Sequence, residues 1–148
     1  MCIRDRDRIV PNSEFAATLD TSDAWIKSRS GIVRRHFAAE GQGTSDLASR
    51  AAIAALQDAG FKANDLDTII VATSTPDLTF PSVATMVQGS ISMTRGFGFD
   101  IQAVCAGFVF ALCNANALIA SGQAKRICLL YTSPSPRDAT LSRMPSSA

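Results

Sequence analysis

A cysteine near the middle of the chain stands where its thiol can act as a nucleophile. Cys105 follows a short segment with strand character, 96–101, and begins a long apolar segment rich in small residues, 105–121, which predicts a helix. The start of a helix presents backbone N–H groups and a partial positive charge, which favour a thiolate over a thiol. The same N–H groups can stabilise an oxyanion on an attacked carbonyl. The position therefore predicts a nucleophile, with a buried packing cysteine as the alternative.

The residues that follow Cys105 have little side-chain bulk. Ala106 and Gly107 either leave room for a substrate above the thiol or let the helix pack closely on a neighbouring element, and both explanations fit the sequence. Phe108 and Phe110 are predicted to belong to the hydrophobic core.

Composition and charge describe a folded chain and exclude several classes of partner. Of the 148 residues, 47% are hydrophobic and 18% are charged, and the formal net charge of +1 gives no electrostatic case for nucleic acid or an anionic membrane. No apolar run approaches the roughly 20 residues of a membrane span, and the first residues lack the apolar stretch of a signal peptide. We therefore expect a cytoplasmic location with reduced thiols. The cysteines show neither metal-ligand nor disulfide-framework spacing: Cys2, Cys105, Cys113 and Cys128.

The elements around Cys105 predict an α/β fold. Residues 68–73 form a continuous apolar, β-branched run, typical of a strand buried on both faces, and 126–130 predict a further strand. The clearest helix spans 46–59, begins at Thr44 or Ser45 and ends at Gly60. The alternation of strands and helices favours a mostly parallel sheet. Apolar residues that recur every four positions predict the buried face of that helix: Leu47, Ala51, Ala55 and Ala59.

The first part of the chain predicts shorter elements. One helix begins at Asn12 or Ser13, and a second begins at Thr21 or Ser22, because these side chains can accept hydrogen bonds from the first helical N–H groups. Residues 32–37 have strand character.

Both ends of the chain differ in composition from the rest. Residues 132–148 are dominated by proline, serine and arginine without periodicity. One short DNA element and its reverse complement can encode both MCIRD at the start and CLLYT near the end, and that element resembles a transposase-type sequencing adapter. We therefore predict that residues 1–6 and 128–148 are non-native, with a disordered tail, and that 7–127 is an incomplete natural half-domain. A natural basic head and disordered tail is the alternative.

Six short segments occur in the order and at the approximate spacing of one known family, and together they cover about residues 8–127. They resemble β-ketoacyl-acyl-carrier-protein synthase III, the initiating condensing enzyme of bacterial fatty-acid synthesis, in the thiolase-like superfamily. The resemblance implies the N-terminal half of that fold, a mixed and mostly parallel sheet flanked by helices, without its first strand, which we expect at the centre of the sheet. The segments are 19–26 (LDTSDAWI), 29–32 (RSGI), 34–36 (RRH), 69–77 (IIVATSTPD), 80–82 (FPS) and 100–108 (DIQAVCAGF).

The resemblance assigns roles to particular residues. Cys105 falls on the family's acylated cysteine. Trp25 and Arg29 fall on residues at the CoA nucleotide, and Thr21 matches a further residue near that nucleotide. Phe80 resembles a residue that crosses the dimer interface and walls the acyl pocket of the other subunit. From the residues alone, Trp25 and Arg29 also fit an amphipathic helix with a packed indole, and Phe80 fits a hydrophobic loop anchor.

The activity implied by the resemblance is transfer of an acyl group from acyl-CoA to Cys105, followed by condensation with malonyl-acyl carrier protein (malonyl-ACP). The family is homodimeric, with the strand near 97–101 at the partner interface, and needs neither a permanently bound cofactor nor a metal. Its catalytic histidine and asparagine lie outside this chain, so the lone histidine, His36, is expected to be structural or exposed. The alternatives are another thiolase-like acyl-CoA condensing enzyme of secondary metabolism, or a truncated chain without catalytic activity.

Overall fold

Two short strands and two short helices form the first of two units in this computed structural model, which describes residues 8–132. Strand β1 (Arg8–Pro11) pairs antiparallel with β2 (Arg34–Phe37). Helices α1 (Asn12–Ala16) and α2 (Asp23–Ser30) lie between these strands in the sequence. The apolar cluster of this unit consists of Val10, Phe15 and Ile26, with Phe37 packed against it.

A three-stranded parallel sheet organises the second unit, residues 42–132. Strand β3 (Thr68–Thr73) lies in the middle, and β4 (Phe97–Ile101) and β5 (Ile127–Thr132) pair with it on either side. Among the described residues, no helix has both the length and the apolar character that crossing a membrane requires. The helices of this unit are α3 (Thr44–Ala59), α4 (Val83–Ser90) and α5 (Gly107–Ala120).

Helices cover both faces of this sheet, as the α/β prediction requires. Every residue of β3 is buried. Its alternating side chains divide between two apolar clusters, because successive residues of a strand point to opposite faces. Ile69 and Val71 pack with residues of α3 and α4, whereas Ile70 and Ala72 pack with α5.

In the described chain the sheet has no gap at its centre, and the place of the family's first strand in the sheet stays a prediction. Thr68 of β3 is opposite Phe97 on one side and Ile127 on the other, and the pairing continues along the strand. Because both edges of β3 are already hydrogen-bonded to neighbouring strands, it has no free edge for a further strand.

The last strand is longer than predicted and includes residues assigned to the tail. Strand β5 extends through Thr132, and Cys128 and Leu130 are buried against the cluster under α3 and α4. The prediction of disorder is therefore wrong for residues 128–132, whose apolar side chains complete the sheet. Residues 1–7 and 133–148 lie outside the described part, and a non-native origin of the two ends stays a prediction.

The predicted start of α2 is confirmed, whereas that of α1 is wrong. The Oγ atom of Ser22 accepts a hydrogen bond from the Trp25 N–H at 3.1 Å. Asn12 does not cap α1, which begins after Pro11 without a side-chain cap. The Asn12 side chain is buried and donates hydrogen bonds to the Asp23 carboxylate and the Ile32 carbonyl instead.

Helix α3 ends where predicted but begins at Thr44, two residues earlier than predicted, and it differs in its cap and its buried face. Gly43 is the N-cap residue, and Ser45 N–H donates to the Asp77 carboxylate at 2.7 Å, so a distant carboxylate replaces the predicted local cap. In a helix rich in alanine several faces have similar apolar character, so periodicity alone does not select the buried one. The buried residues are Ala48, Ser49, Ala52 and Leu56.

Candidate active site

The thiol of Cys105 is exposed between the end of β4 and the start of α5. A single 3-10 turn, Val104–Ala106, leads directly into α5. No described side chain caps this helix, so no side-chain oxygen competes for the N–H groups of its first turn. The structure thus has the predicted arrangement of an accessible thiol at a helix N-terminus.

The residue before Cys105 has a strained backbone. Val104 has a φ of 45°, in the left-handed region that β-branched residues rarely adopt. Such a conformation costs roughly 1–3 kcal/mol and persists only where surrounding contacts hold it. No sequence pattern predicts this conformation, because valine gives no signal for a positive φ.

Gly107 lets α5 approach the sheet closely. A Cβ atom on Gly107 would lie 3.2 Å from the Cβ atom of Ala72 and 3.5 Å from the Tyr131 ring. Of the two explanations open in the sequence, close packing is the one that the structure supports for this glycine. Ala106 is exposed.

The aromatic residues of α5 do not belong to the core of the described chain. Phe108 is 47% exposed and Phe110 is 52% exposed, so the prediction of core packing is wrong for both. Helix α5 meets the sheet through small buried residues instead, and the Phe108 and Tyr131 rings meet edge to face at a centroid distance of 6.2 Å. The buried residues of α5 are Gly107, Ala111 and Ala115.

A carboxylate on β4 is bound to the first turn of α4. Asp100 accepts hydrogen bonds from the N–H groups of Val83 at 2.7 Å and Ala84 at 2.8 Å. No role for Asp100 was predicted from the sequence, although a carboxylate within an otherwise apolar strand must find donors and thereby gives a signal.

Phe80 lies in the loop between β3 and α4 and is 87% exposed. It therefore does not anchor the loop on the described residues. The loop is held by other groups: the Thr75 carbonyl accepts a hydrogen bond from Thr44 Oγ1 at 2.6 Å, and Asp77 accepts the bond from Ser45. An exposed phenylalanine on a tethered loop is available to another molecule.

Trp25 and Arg29 lie together on successive turns of α2. The guanidinium carbon of Arg29 is 5.8 Å from the centre of the Trp25 ring. The indole is not packed in a core, since Trp25 is 57% exposed. Just before the helix, Thr21 Oγ1 is buried and has no hydrogen-bond partner among the described residues.

The site residues are divided between the two units. Thr21, Trp25 and Arg29 lie in residues 8–41, whereas Phe80 and Cys105 lie in residues 42–132. Within each unit, the structure brings Trp25 and Arg29 into contact and places Cys105 at the predicted helix start.

The remaining histidine and cysteines occupy different settings. His36 lies on β2 opposite Ile9 and is partly buried. Cys113 is exposed on α5, whereas burial raises the pKa of the Cys128 thiol to about 11. Among residues 8–132, no three histidine, cysteine, aspartate or glutamate side chains are grouped as metal ligands would be.

Comparison with known proteins connects the Cys105 segment to one family. The family model for 3-oxoacyl-[acyl-carrier-protein (ACP)] synthase III matches residues 99–134, which include Cys105 and β5. Beta-ketoacyl-[acyl-carrier-protein] synthase III of Cereibacter sphaeroides is 69% identical over 124 residues, which are 84% of this chain and 38% of that protein.

Solved structures give the same relationship. The 3-oxoacyl-[acyl-carrier-protein] synthase III of Aquifex aeolicus VF5 has a TM-score of 0.81 at 37% identity, covering 86% of this chain and 41% of that one. The priming beta-ketosynthase of the R1128 polyketide pathway has a TM-score of 0.80 at 28% identity, covering 86% and 38%. The fold is therefore that of the thiolase-like condensing enzymes.

Among the thiolase-like condensing enzymes, the Cereibacter sphaeroides relative and the matching family model are both named as synthase III. Over the residues that it has in common with them, the chain belongs to the β-ketoacyl-acyl-carrier-protein synthase III family. The chain spans 38% of the length of the Cereibacter sphaeroides relative.

Proposed function

We propose that the chain contains the acyl-accepting part of an initiating condensing enzyme of fatty-acid biosynthesis. The complete protein would transfer an acyl group from acyl-CoA to Cys105 and condense it with malonyl-ACP to give a 3-oxoacyl-ACP. The observation that supports this most directly is the exposed Cys105 thiol at the start of α5, within the segment that the family model matches.

The chemistry of the first step suits this position. The Cys105 thiolate attacks the carbonyl carbon of the acyl-CoA thioester, and a new S–C bond forms. Negative charge develops on the carbonyl oxygen, where N–H groups at a helix N-terminus stabilise it. The bond from carbon to the CoA sulfur then breaks, and CoA leaves as a thiolate that takes up a proton from water. The acyl group remains on Cys105 as a thioester.

We assign CoA binding to Thr21, Trp25 and Arg29. An exposed indole offers a face for adenine, and a guanidinium pairs with phosphate. The contact between Trp25 and Arg29 and the unpartnered Thr21 hydroxyl support a polar, aromatic ligand beside α2. No permanently bound cofactor or metal enters this proposal.

We assign Phe80 to the acyl pocket of a second subunit in a homodimer. The exposure of the Phe80 side chain and the tethering of its loop support a contact with another protein chain. Strand β4 is an edge strand of the described sheet, so its outer edge can pair with a partner. Acyl carrier protein is the further proposed partner, in the cytoplasm, without nucleic acid or membrane.

One other function is supported by a specific observation. The likeness to the R1128 priming beta-ketosynthase supports a thiolase-like condensing enzyme of secondary metabolism that uses acyl-CoA.

The test is to incubate the purified chain with acetyl-CoA and to measure the mass of the intact protein by mass spectrometry. We expect a gain of one acetyl group, lost in Cys105→Ser and retained in the control Cys113→Ser, whose thiol is also exposed. Trp25→Ala should raise the acetyl-CoA concentration needed for half-maximal acylation without changing the final extent. An adduct that persists in Cys105→Ser contradicts the proposal, and no adduct in any variant favours the inactive chain.

A further inference from the structure

We propose that Asp100 is a positioning residue for Cys105, an inference that rests on the proposed function because it takes Cys105 as the reacting thiol. Asp100 lies on β4, and both of its carboxylate oxygens accept backbone hydrogen bonds from the first turn of α4, at 2.7 Å and 2.8 Å. The two donors belong to Val83 and Ala84, which are fully buried. This carboxylate therefore ties the strand that leads to Cys105 to a buried helix end.

The segment that follows Asp100 must be held at both ends. The last residue of β4, Ile101, is opposite Ala72 on β3, and three residues later Val104 adopts its φ of 45°. A β-branched residue returns to a negative φ unless its surroundings prevent this. A change of φ at Val104 rotates the next peptide, and with it the Cys105 side chain relative to α5.

Contacts on both sides of the strained residue can supply this restraint. After Cys105, Gly107 lies against Ala72, which fixes the start of α5 on the sheet. Before Val104, the bonds from Asp100 to α4 fix the end of β4. In Asp100→Asn the amide keeps one acceptor oxygen but turns an NH2 donor towards the second N–H group, so one buried N–H loses its partner and the end of β4 must separate from α4 to admit water.

Positioning by Asp100 and a direct effect of its charge predict opposite results. Removal of a negative charge near a thiol favours the thiolate, which would speed alkylation of Cys105 in Asp100→Asn. Loss of positioning turns the thiol away from the N–H groups of α5, which slows the same reaction. The sign of the change separates the two explanations.

The experiment is alkylation of the folded chain by iodoacetamide, with each cysteine followed by peptide mass spectrometry. Cys113 is the internal reference, because it is exposed on the same helix. We expect Asp100→Asn to lower the rate of Cys105 relative to Cys113 about tenfold.

The matched control is Asp67→Asn. Asp67 also accepts two backbone hydrogen bonds, from the N–H groups of Lys125 at 2.8 Å and Arg126 at 3.0 Å. It precedes β3, at the end of the parallel sheet opposite to Cys105. The ratio of Cys105 to Cys113 labelling should not change in this variant. An equal fall in both variants, a faster Cys105 in Asp100→Asn, or no change overturns the inference.

A second substitution tests the route through Val104. Glycine adopts a positive φ without a steric cost. In a Val104→Gly background, the Cys105 rate should therefore depend much less on Asp100, and an undiminished tenfold effect contradicts this route. Labelling of the buried Cys128 reports unfolding. If Asp100→Asn exposes Cys128, Asp100→Glu takes its place, since it keeps the charge but displaces the carboxylate, and the same fall is expected.

The outcome is separable from that of the acylation test. Alkylation needs no CoA, so a selective loss of Cys105 reactivity without any acetyl adduct supports Asp100 as a positioning residue and contradicts the proposed function. An acetyl adduct on Cys105 together with an unchanged alkylation ratio supports the function and overturns the inference about Asp100.

Discussion

A Cβ atom on Gly107 would approach the Cβ atom of Ala72 to 3.2 Å, so α5 and β3 are closer here than a residue with a side chain ordinarily allows. This contact lies two residues after Cys105. It sets the distance between the sheet and the first turn of the helix, and therefore the position of the candidate nucleophile. Its partner Ala72 is fully buried and lies opposite Ile101, at the end of β4.

We predict that alanine at Gly107 lowers stability relative to alanine at Gly89. Both glycines are in helices, where alanine is favoured by about 0.5–1 kcal/mol. A Cβ atom on Gly89 has no neighbour within 4 Å, whereas one on Gly107 meets Ala72 and Tyr131. Overpacking costs roughly 1–3 kcal/mol, so the free energy of unfolding should fall or stay level in Gly107→Ala and rise in Gly89→Ala. Urea denaturation measures the free energy of unfolding of both variants. An equal increase in Gly107→Ala and Gly89→Ala would contradict the close contact between Gly107 and Ala72.

The sequence predicts the elements around the site well where a pattern has one physical meaning. The β-branched run 68–73 is a strand buried on both faces, and Ser22 caps α2. The glycine after α3, Gly60, has the left-handed conformation that ends a helix. In each case a local preference and the packing of the fold favour the same conformation.

Features set by distant contacts were not predictable in the same way. The positive φ of Val104 depends on neighbours on both sides, and the cap of α3 comes from Asp77, more than thirty positions away. Asn12 illustrates the same limit. Its side chain has the chemistry of a helix cap, but three groups distant in sequence bind it instead.

We predict that Asn12→Ala strongly destabilises the first unit. The Asn12 amide donates to Asp23 at 2.9 Å and to the Ile32 carbonyl at 2.8 Å, and its oxygen accepts from Arg35 at 2.9 Å. Arg35 is buried, so its guanidinium would lose a partner in a place from which water is largely excluded. Leaving these groups unpaired should cost roughly 2–5 kcal/mol.

The fluorescence of Trp25 provides the measurement for Asn12→Ala, because it is the only tryptophan and lies in the same unit. The urea concentration at the midpoint of unfolding, followed by this fluorescence, should be lower in Asn12→Ala. The control is Asn114→Ala, which removes an exposed amide bonded to a single carbonyl, that of Phe110. In Asn114→Ala we expect the free energy of unfolding to change by no more than about 0.5 kcal/mol. Equal midpoints for both variants would contradict the role given to Asn12.

We predict that Asp67 makes stability dependent on pH in the acid range. Hydrogen bonds from the N–H groups of Lys125 and Arg126, with the nearby Arg95 and Arg126 charges, hold the pKa of Asp67 below its ordinary value. A carboxyl group whose folded pKa is lowered stabilises the fold above its unfolded pKa of about 3.9, and this contribution is lost as the pH falls through the folded pKa. Stability should therefore decrease below about pH 4.

The Asp67→Asn variant isolates this contribution. Its free energy of unfolding should decline less steeply than that of the unchanged chain between about pH 5 and pH 2, because the titrating group is gone. The neutral change Gln123→Ala, close in sequence to Lys125, should leave the slope as it was. Parallel curves for Asp67→Asn and the unchanged chain would mean that the hydrogen bonds to Asp67 do not persist in solution.

We predict that Cys128 reacts with alkylating reagents only when the second unit unfolds. Its thiol is buried in β5, and burial raises its pKa to about 11. At pH 8 the group is neutral and enclosed, whereas the exposed Cys105 and Cys113 are accessible. The raised pKa also means that stability falls as the pH rises from the unfolded value of about 8.5 towards the folded one.

Labelling of Cys128 across a urea series also tests the extent of the sheet. If β5 forms as described, Cys128 labelling should follow the global unfolding transition of residues 42–132, while Cys113 reacts at every urea concentration. If the chain were instead disordered from residue 128 onwards, Cys128 would label as fast as Cys113 without urea. Cys128→Ala should leave the labelling of Cys113 unchanged, which serves as the control. A protected Cys128 therefore requires that β5 pairs with β3 whatever the origin of its residues, since only the pairing and the packing against α3 and α4 exclude the reagent.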